Sequence, residues 1–226
     1  MCIGIVAATK AEIAPFTAAM RNIETEEYSM LKFHKGNYAG IDVIALFCGV
    51  CRVNAAIAAQ ILIDRYQVEQ IIVIGVAGAI NPDLQIGDTV ISSQVAYHDV
   101  ADEILTQYHP WMESIYFTAD PSLVHGISLA NADDPSVMTG RIVTGESFID
   151  QEGREEIIER YDPLCVDMET AGVAHVCYAS AVPFAAIRSM SDTPHESGSG
   201  AFEKYCKTAA EKSVRVLIRY LDTAYR

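Results

Sequence analysis

The segment IRSMSDTP, residues 187–194, places a cation, a hydroxyl and a carboxylate at the end of an apolar run typical of a buried strand. Asp192 is of the residue type that can act as a general acid, because partial desolvation raises the pKa of a carboxyl group towards neutrality. Ser191 could hold that carboxyl by a hydrogen bond. The alternative is that Asp192 is an ordinary turn or capping residue ahead of Pro194.

Arg188 lies in the same segment and would need a carboxylate partner if the strand is buried. Glu12 and Glu169 are the two candidates for that partner. Glu12 follows Thr9 by three residues, a spacing that favours a capping box at the start of a helix. The alternative is that Glu12 acts as a base towards a water molecule. The sequence leaves both interpretations open.

A second acidic pair lies in Val166-Asp-Met-Glu169, directly before a segment with helical spacing. Acidic side chains at the start of a helix are favoured by the helix dipole, which is one explanation for the pair. The other is sugar binding, because a carboxylate offers two acceptor oxygens to the vicinal hydroxyls of a ribose. Both explanations are compatible with the pattern.

Two other short patterns carry weaker signals. Gly75-Val-Ala-Gly78 lacks the third glycine of a dinucleotide fingerprint and the Lys-Ser/Thr of a P-loop, so a plain tight turn is favoured. Cys48-Gly-Val-Cys51 has CxxC spacing, but no second pair completes a zinc site. The six cysteines lie mostly in apolar runs, so we expect neither a disulfide framework nor a metal site.

Apolar, β-branched runs alternate with segments of helical spacing, which predicts an α/β fold with a parallel or mixed sheet covered by helices on both sides. The predicted strands are 2–8, 41–47, 70–76, 89–96, 141–144 and 182–190, and the predicted helices are 10–22, 52–66, 121–130, 152–161, 170–180 and 201 to about 220. Ligands of such folds bind at the carboxyl ends of strands, where the acidic candidates lie. Residues 99–117 are the least periodic and are predicted to form a long functional loop.

Length and charge limit the possible functions. The 226 residues, 50% of them apolar, fit a single domain spanning residues 1–226. Thirty acidic against sixteen basic residues give a formal net charge of −14. Such a surface repels phosphate polymers and anionic lipids, so neither a nucleic acid nor a membrane is expected as a partner. The apolar run at the N-terminus is too short for a bilayer span or a signal sequence, so a cytoplasmic protein is predicted.

Six segments occur in a specific order: IGIVAATKAEI, CGVCRVNAAIAAQ, GVAGAI followed by IGDTVIS and AYHD, TGESFI, VDMETAGVAHVCY and PFAAIRSMSD. Together they resemble the nucleoside phosphorylase/nucleosidase superfamily and, within it, the 5′-methylthioadenosine/S-adenosylhomocysteine nucleosidases. The resemblance runs nearly end to end. It implies a three-layer α/β/α fold around a central mixed, partly barrel-like sheet. It also implies hydrolysis of the N-glycosidic bond of an adenine nucleoside, which releases adenine and a 5-substituted ribose.

The resemblance implies catalytic roles for four residues. Asp192 would protonate nitrogen 7 of the leaving adenine with support from Ser191, while Glu12 would hold and activate the attacking water and Arg188 would help to orient it. Adenine is a poor leaving group as an anion, so an acid has to act while carbon 1′ becomes cationic. A nearby anion such as Glu12 favours that positive charge. No metal or organic cofactor is expected, because this acid and base suffice for the proton transfers.

The resemblance also implies contacts with the substrate. Glu169, with the backbone of Met168, would bind the ribose hydroxyls. Phe148 would stack on the adenine, and the backbone of Ile149 would read its Watson–Crick edge. Phe202, at the start of the last helix, matches an apolar residue near the 5′ substituent. The expected partner is therefore a small adenine nucleoside.

The sequence departs from the family pattern at several positions. Val76 replaces a serine that helps to bind the sugar or the water, Glu146 replaces the usual aspartate, and Cys48 and Cys51 replace small residues. Residues 99–117 differ the most. In the family this loop reaches across a homodimer interface towards the 5′ pocket of the neighbour. A homodimer is therefore expected, whereas the preferred 5′ substituent is left open.

Two other functions remain open at this point. A purine nucleoside phosphorylase of this superfamily would bind phosphate with arginines, one of them near the first strand end. Here that segment reads Ala-Ala-Thr-Lys-Ala-Glu, whose carboxylate repels phosphate, and only Lys10 favours this alternative. In a catalytically weak nucleoside-binding protein, Glu12 and Asp192 would serve only as helix caps.

Overall fold

The structure is a computed structural model that describes residues 1–150, 153–196 and 198–225. Within these residues, ten strands form one mixed sheet and seven helices pack against it. The strands are β1 (Cys2–Ala7), β2 (Arg21–Tyr28), β3 (Leu31–Tyr38), β4 (Ile41–Phe47), β5 (Gln70–Ala79), β6 (Thr89–Tyr97), β7 (Phe117–Thr118), β8 (Val137–Thr144), β9 (Cys165–Asp167) and β10 (Phe184–Asp192). The helices are α1 (Lys10–Ala19), α2 (Arg52–Asp64), α3 (Asp102–Gln107), α4 (Pro121–Ala130), α5 (Arg154–Tyr161), α6 (Thr170–Ser180) and α7 (Ser199–Tyr225).

The sheet has an open part and a closed part. Strands β2, β3, β4 and β1 follow one another to β5, which also pairs with β10 and with the short β9. Strands β9, β8, β6 and β10 then return to β5, so that five strands form a closed ring. The first half of β5 pairs with β1 and its last two residues pair with β9. The central mixed, partly barrel-like sheet implied by the family resemblance is confirmed.

Strand β5 shows why the sheet is covered on both faces. Ile71 and Val73 belong to the core that α2 and α6 close, whereas Ile72 and Ile74 belong to the core closed by α1, α4 and α7. Successive side chains of a strand point to opposite faces, so an uninterrupted apolar run requires a helical layer on each side. The predicted three-layer α/β/α arrangement is confirmed.

Several predicted elements need correction. The helix predicted over 10–22 ends at Ala19, and the next residues begin the β2–β3 hairpin, which the strand prediction missed. These two strands lie at the edge of the sheet and are largely polar, so they lack the apolar run on which the prediction depended. The segment 99–117 contains helix α3. The start of the helix predicted from residue 152 lies outside the described residues.

The glycine segment was also predicted wrongly. Gly75-Val-Ala-Gly78 is not a tight turn but the second half of β5, which continues to Ala79. Among the described residues, no helix combines the length and the apolar character that a membrane span requires.

Candidate active site

A cavity of about 290 Å³ lies at the carboxyl ends of β1, β5, β9 and β10. Such strand ends are where open and mixed α/β sheets place their ligand sites. Nine of the ten predicted site residues line it: Glu12, Val76, Phe148, Ile149, Met168, Glu169, Ser191, Asp192 and Phe202. The tenth, Arg188, is fully buried and lies behind the cavity wall rather than in its lining.

Asp192 ends β10 and is 1% exposed. Its Oδ1 accepts a hydrogen bond of 2.9 Å from Oγ of Ser191, as the sequence suggested. Its Oδ2 is buried and has no hydrogen-bond partner among the described residues. Burial raises the pKa of Asp192, while the Ser191 hydrogen bond and the charge of Arg154 act in the opposite direction. A buried carboxyl with one free oxygen in a cavity is suited to carry a proton to a ligand.

Glu12 takes part in a capping box and also faces the cavity. Its Oε2 accepts 2.7 Å hydrogen bonds from the backbone nitrogen and Oγ1 of Thr9, whose side chain caps α1. Its Oε1 accepts a 2.9 Å bond from the backbone nitrogen of Val76. The two interpretations of Glu12 therefore do not exclude each other, because each oxygen has its own partner.

Gly75 makes room for this carboxylate. Its φ of +143° lies in the region that side chains with a Cβ rarely adopt. A Cβ at this position would overlap Oε1 of Glu12 and would lie 2.7 Å from Nη1 of Arg188. The glycine is needed because the backbone of β5 passes directly over the Glu12 side chain.

Arg188 is surrounded by three carboxylates. Its Nε lies 2.8 Å from Oδ2 of Asp167, and its Nη2 donates to Oε2 of Glu169 at 3.2 Å. Its Nη1 lies 3.8 Å from Oε1 of Glu12. Although burial opposes the charge, the carboxylates raise the pKa of Arg188. Both predicted partners are therefore present, and the guanidinium links the carboxylates that line the cavity.

Asp167 was not predicted as a partner of Arg188, although it makes the shortest of the three ion pairs. Its Oδ1 accepts a 2.5 Å hydrogen bond from Oγ1 of Thr144 and a 3.2 Å bond from the backbone nitrogen of Thr170. Asp167 thus joins β8, β9 and the start of α6. The signal that could have found it is its position at a strand end, two residues before Glu169.

Glu169 occupies the N-cap position of α6 and is 5% exposed. Its Oε1 accepts a 3.0 Å hydrogen bond from the backbone nitrogen of Cys51, and its Oε2 accepts from Arg188. Burial raises the pKa of Glu169 to about 7, against the lowering effect of the Arg188 charge. Each oxygen keeps a second lone pair with which to accept a hydroxyl from a ligand.

Aromatic and aliphatic side chains form the remainder of the lining. The rings of Phe148 and Phe202 meet edge to face with centroids 6.4 Å apart, and Phe148 is about half exposed. Val76 packs with Ala209 and Ala210 of α7. At position 76 the backbone nitrogen therefore binds Glu12, whereas the side chain makes apolar contacts.

The CxxC pair contributes through backbone geometry. Cys51 has a φ of +80° at the N-cap of α2, and this conformation accompanies the hydrogen bond from its backbone nitrogen to Glu169. Burial raises the pKa of the Cys48 thiol to about 12, so this thiol is unreactive at neutral pH. Among the described residues, no group of three or more His, Cys, Asp or Glu side chains is arranged to hold a metal ion.

Known sequences match this chain over nearly its full length. The sequence pattern of the phosphorylase superfamily matches residues 2–222. A 5′-methylthioadenosine/S-adenosylhomocysteine nucleosidase of Marinomonas sp. is 36% identical over 218 residues, which cover 93% of this chain and 94% of the relative. The protein of the same name from Bacillus subtilis is 33% identical over 229 residues, with 98% of both chains covered.

Solved structures show the same fold. A 5′-methylthioadenosine/S-adenosylhomocysteine nucleosidase from S. pneumoniae with a transition-state inhibitor superposes with a TM-score of 0.90 at 29% identity, covering 99% of this chain and 100% of that chain. A futalosine hydrolase of Helicobacter pylori gives a TM-score of 0.90 at 25% identity, with 99% and 98% covered. The resemblance drawn from the six motifs is confirmed, and the chain belongs to the phosphorylase superfamily, within the family of 5′-methylthioadenosine/S-adenosylhomocysteine nucleosidases.

Proposed function

We propose that this chain hydrolyses the N-glycosidic bond of adenine nucleosides of the 5′-methylthioadenosine/S-adenosylhomocysteine type. The products are adenine and a 5-substituted ribose. The observation that carries the proposal is the pair of carboxyl groups in one cavity: Asp192 with an unpartnered buried Oδ2, and Glu12 with both oxygens held by backbone or hydroxyl donors. The names of the relatives support the same substrate class.

Asp192 is the proposed general acid. Burial raises the pKa of Asp192, and Ser191 donates to Oδ1, so Oδ2 is the oxygen that is free to carry the proton. Transfer of that proton to nitrogen 7 of the adenine neutralises the leaving group as the bond from carbon 1′ to nitrogen 9 breaks. A positioned acid contributes about 10²–10⁴-fold in rate. Phe148 and the backbone of Ile149 are the proposed contacts of the purine ring, because both line the same cavity.

Glu12 is the proposed base. Its position, fixed by Thr9 and by the backbone of Val76, leaves a lone pair of Oε1 for a water molecule in the cavity. The carboxylate also stabilises the positive charge that develops on the sugar. Arg188 acts through Glu12 and Glu169, which it holds in place from behind the wall, and is therefore a positioning residue.

The sugar is bound by a carboxylate in this proposal. Glu169 accepts the two vicinal ribose hydroxyls, with Met168 beside it in the lining. Phe202 and the edge-to-face ring of Phe148 provide apolar surface for the 5′ substituent. Glu169 and its anchor, the backbone nitrogen of Cys51, also link sugar binding to the start of α2.

Phosphate independence is the first test of this function. Among the described residues that line the cavity there is no lysine or arginine, so the lining offers no cation for a phosphate nucleophile. We expect adenine release from 5′-methylthioadenosine at equal rates with and without phosphate, measured by chromatography of the products. A panel of adenine nucleosides that differ only at the 5′ position then ranks the substituents.

The other outcomes identify the alternatives. Release that requires phosphate and yields a sugar 1-phosphate would assign a phosphorylase. Unchanged nucleoside after long incubation, together with measurable binding, would assign a nucleoside-binding protein.

We further propose a homodimer. An apolar patch, defined by Val50, Val53, Ile57, Ile104, Tyr108, Trp111 and Tyr178, has side chains that are 45–66% exposed. Its members lie at the start of α2, in residues 99–117 and on α6, and α6 packs against α2 through the same core. A patch of this kind is typical of a protein interface. A second copy of the chain is the proposed occupant, and Val50 places the patch next to the cavity.

A charge within the patch is expected to separate the subunits. In sedimentation equilibrium, the unsubstituted chain should have twice its mass of 24.7 kDa, whereas Val53→Glu should sediment as a monomer because burial of the new carboxylate opposes association. The matched control is Leu129→Glu on α4, since both side chains are 64% exposed on helices. A monomeric parent chain, or a dimeric Val53→Glu variant, would contradict the proposal.

A further inference from the structure

Arg154, the first residue of α5, is buried although its position at a helix start would allow it to reach solvent. Its Nε donates to the backbone oxygen of Asp150 at 2.9 Å, and its Nη1 donates to the backbone oxygen of Ala79 at 2.5 Å. These two bonds tie the segment that follows Phe148 and Ile149 to the end of β5. The guanidinium therefore supports the part of the wall proposed to contact the purine.

The positive charge of Arg154 has no ion-pair partner in the part of the chain that the structure describes. Among the described residues no carboxylate lies within salt-bridge distance of its guanidinium, and its Nη2 is buried without a hydrogen-bond partner. Burial of a cation without compensation is costly. Arg188, the other buried arginine, has three carboxylates instead. An exposed or uncharged residue at position 154 would avoid this cost, so a function for the charge has to be sought.

The β5 backbone contacts both Arg154 and Asp192. Gly78 is the register partner of Asp192, and a Cβ on this glycine would lie 2.8 Å from Oδ2 of Asp192. Ala79, the next residue, accepts the hydrogen bond from Arg154. Each of the two groups also has one buried polar atom without a partner, Nη2 on the guanidinium and Oδ2 on the carboxyl. Neighbouring residues of one strand thus contact the two groups, which are too far apart for an ion pair but near enough for the Arg154 charge to act on the pKa of Asp192.

We propose that Arg154 is a positioning residue for the purine half of the site: its charge stabilises the Asp192 carboxylate formed during the reaction, and its hydrogen bonds hold the wall that carries Phe148 and Ile149. The inference rests on the proposed function. In the step concerned, the O–H bond of Asp192 breaks and an N–H bond forms on the adenine. The electron pair of the bond between carbon 1′ and nitrogen 9 passes into the ring. The carboxylate that remains is stabilised through space by the positive charge of Arg154.

Over residues 1–150, 153–196 and 198–225, the charged groups that act on Asp192 are Asp150 and Arg154. Asp150 acts from the segment before α5 and raises the pKa of Asp192, whereas the Ser191 hydrogen bond and the Arg154 charge lower it. On β9 the buried Cys165 has a pKa well above its ordinary value, because burial penalises its thiolate, and it is neutral. Arg154 is therefore the cation that offsets the effect of burial. The offset matters because a higher pKa makes Asp192 a weaker acid towards the adenine.

Two substitutions separate the charge of Arg154 from its hydrogen bonds. Arg154→Met removes both, and Arg154→Lys keeps the charge but replaces the forked guanidinium donors by one ammonium nitrogen, which cannot hold the two carbonyl groups in the same geometry. For Arg154→Met we expect kcat to fall by about ten- to 10²-fold. The alkaline limb of its kcat/KM profile should move to higher pH, because a lowering influence on the pKa of the acid is lost. Arg154→Lys should keep the alkaline limb of the parent and raise KM by up to about tenfold.

A control and a measurement without turnover complete the test. Arg141 on β8 also donates to a backbone carbonyl of the α5 segment, that of Tyr161 at 3.0 Å, and Arg141→Met should leave the pH profile unchanged.

Carbon-13 NMR titration of the Asp192 carboxyl, assigned with Asp192→Asn, should show a higher pKa in folded Arg154→Met than in the parent. An unshifted titration would overturn the inference, even if the parent chain released no adenine and the proposed function failed. A lower rate with an unshifted alkaline limb would reduce Arg154 to a structural role.

Discussion

Asp192→Asn is expected to reduce the kcat of adenine release by about 10²–10⁴-fold or more. The amide keeps the shape of the carboxyl and can still accept the Ser191 hydrogen bond, but it has no proton to give to the leaving base. Expulsion of an unprotonated adenine is the slow alternative. The measurement is the initial rate of adenine release at saturating nucleoside, at the pH optimum of the parent chain.

The stability of the same variant distinguishes a chemical role from a structural one. Oδ2 of Asp192 has no partner among the described residues, so its replacement breaks no hydrogen bond, and a neutral amide avoids the cost of a buried carboxylate. The free energy of unfolding should therefore equal or exceed that of the parent, as is common when a functional group is removed. Ser191→Ala, which keeps the acid, should lose much less activity. Activity of Asp192→Asn within tenfold of the parent would exclude Asp192 as the acid.

The residues that define the cavity could be predicted because their signals are local. Asp192 and Glu12 each follow an apolar run that predicts a strand. The capping signal at Thr9 also predicts that Glu12 lies in the first turn of the helix that follows its strand. In an α/β sheet these strand ends meet at one edge, which is what brings distant residues into one cavity. The roles required the family resemblance in addition, because a carboxylate at a helix start is explained equally well by capping.

What could not be predicted depends on packing between segments. Asp167 is paired with Arg188 because β9 and β10 both border β5, a relation that neither segment reveals by itself. Gly75 was predicted to be a turn residue, because glycines of this spacing are typical of turns. In the structure it lies inside a strand, where its positive φ lets the backbone pass over Glu12. The role of Arg154 was not predicted. It lies among charged residues at the start of a helix, a pattern that predicts a surface position, whereas the structure buries it.

Glu12→Gln is the second substitution with a large expected effect. The structure supports both a capping role and a catalytic one, so the variant has to separate them. Glutamine is accepted in a capping box, but its amide cannot take a proton from water at neutral pH. We expect kcat for adenine release to fall by about 10²–10⁴-fold. The cost in the free energy of unfolding should be limited to about 1–3 kcal/mol, because one of the three donors around the carboxylate loses its acceptor.

Thr9→Ala makes the opposite change and is the matched comparison. It removes the side chain that caps α1 but leaves the carboxylate of Glu12 and its bond to the backbone of Val76. Loss of such a cap costs about 0.5–2 kcal/mol, a range that overlaps the one expected for Glu12→Gln, and urea unfolding measures both costs. Only Glu12→Gln should then lose most of its activity, because only it lacks the base. If the two variants lost activity in the same proportion, Glu12 would act as a helix cap alone, and the attacking water would have to be activated by another group.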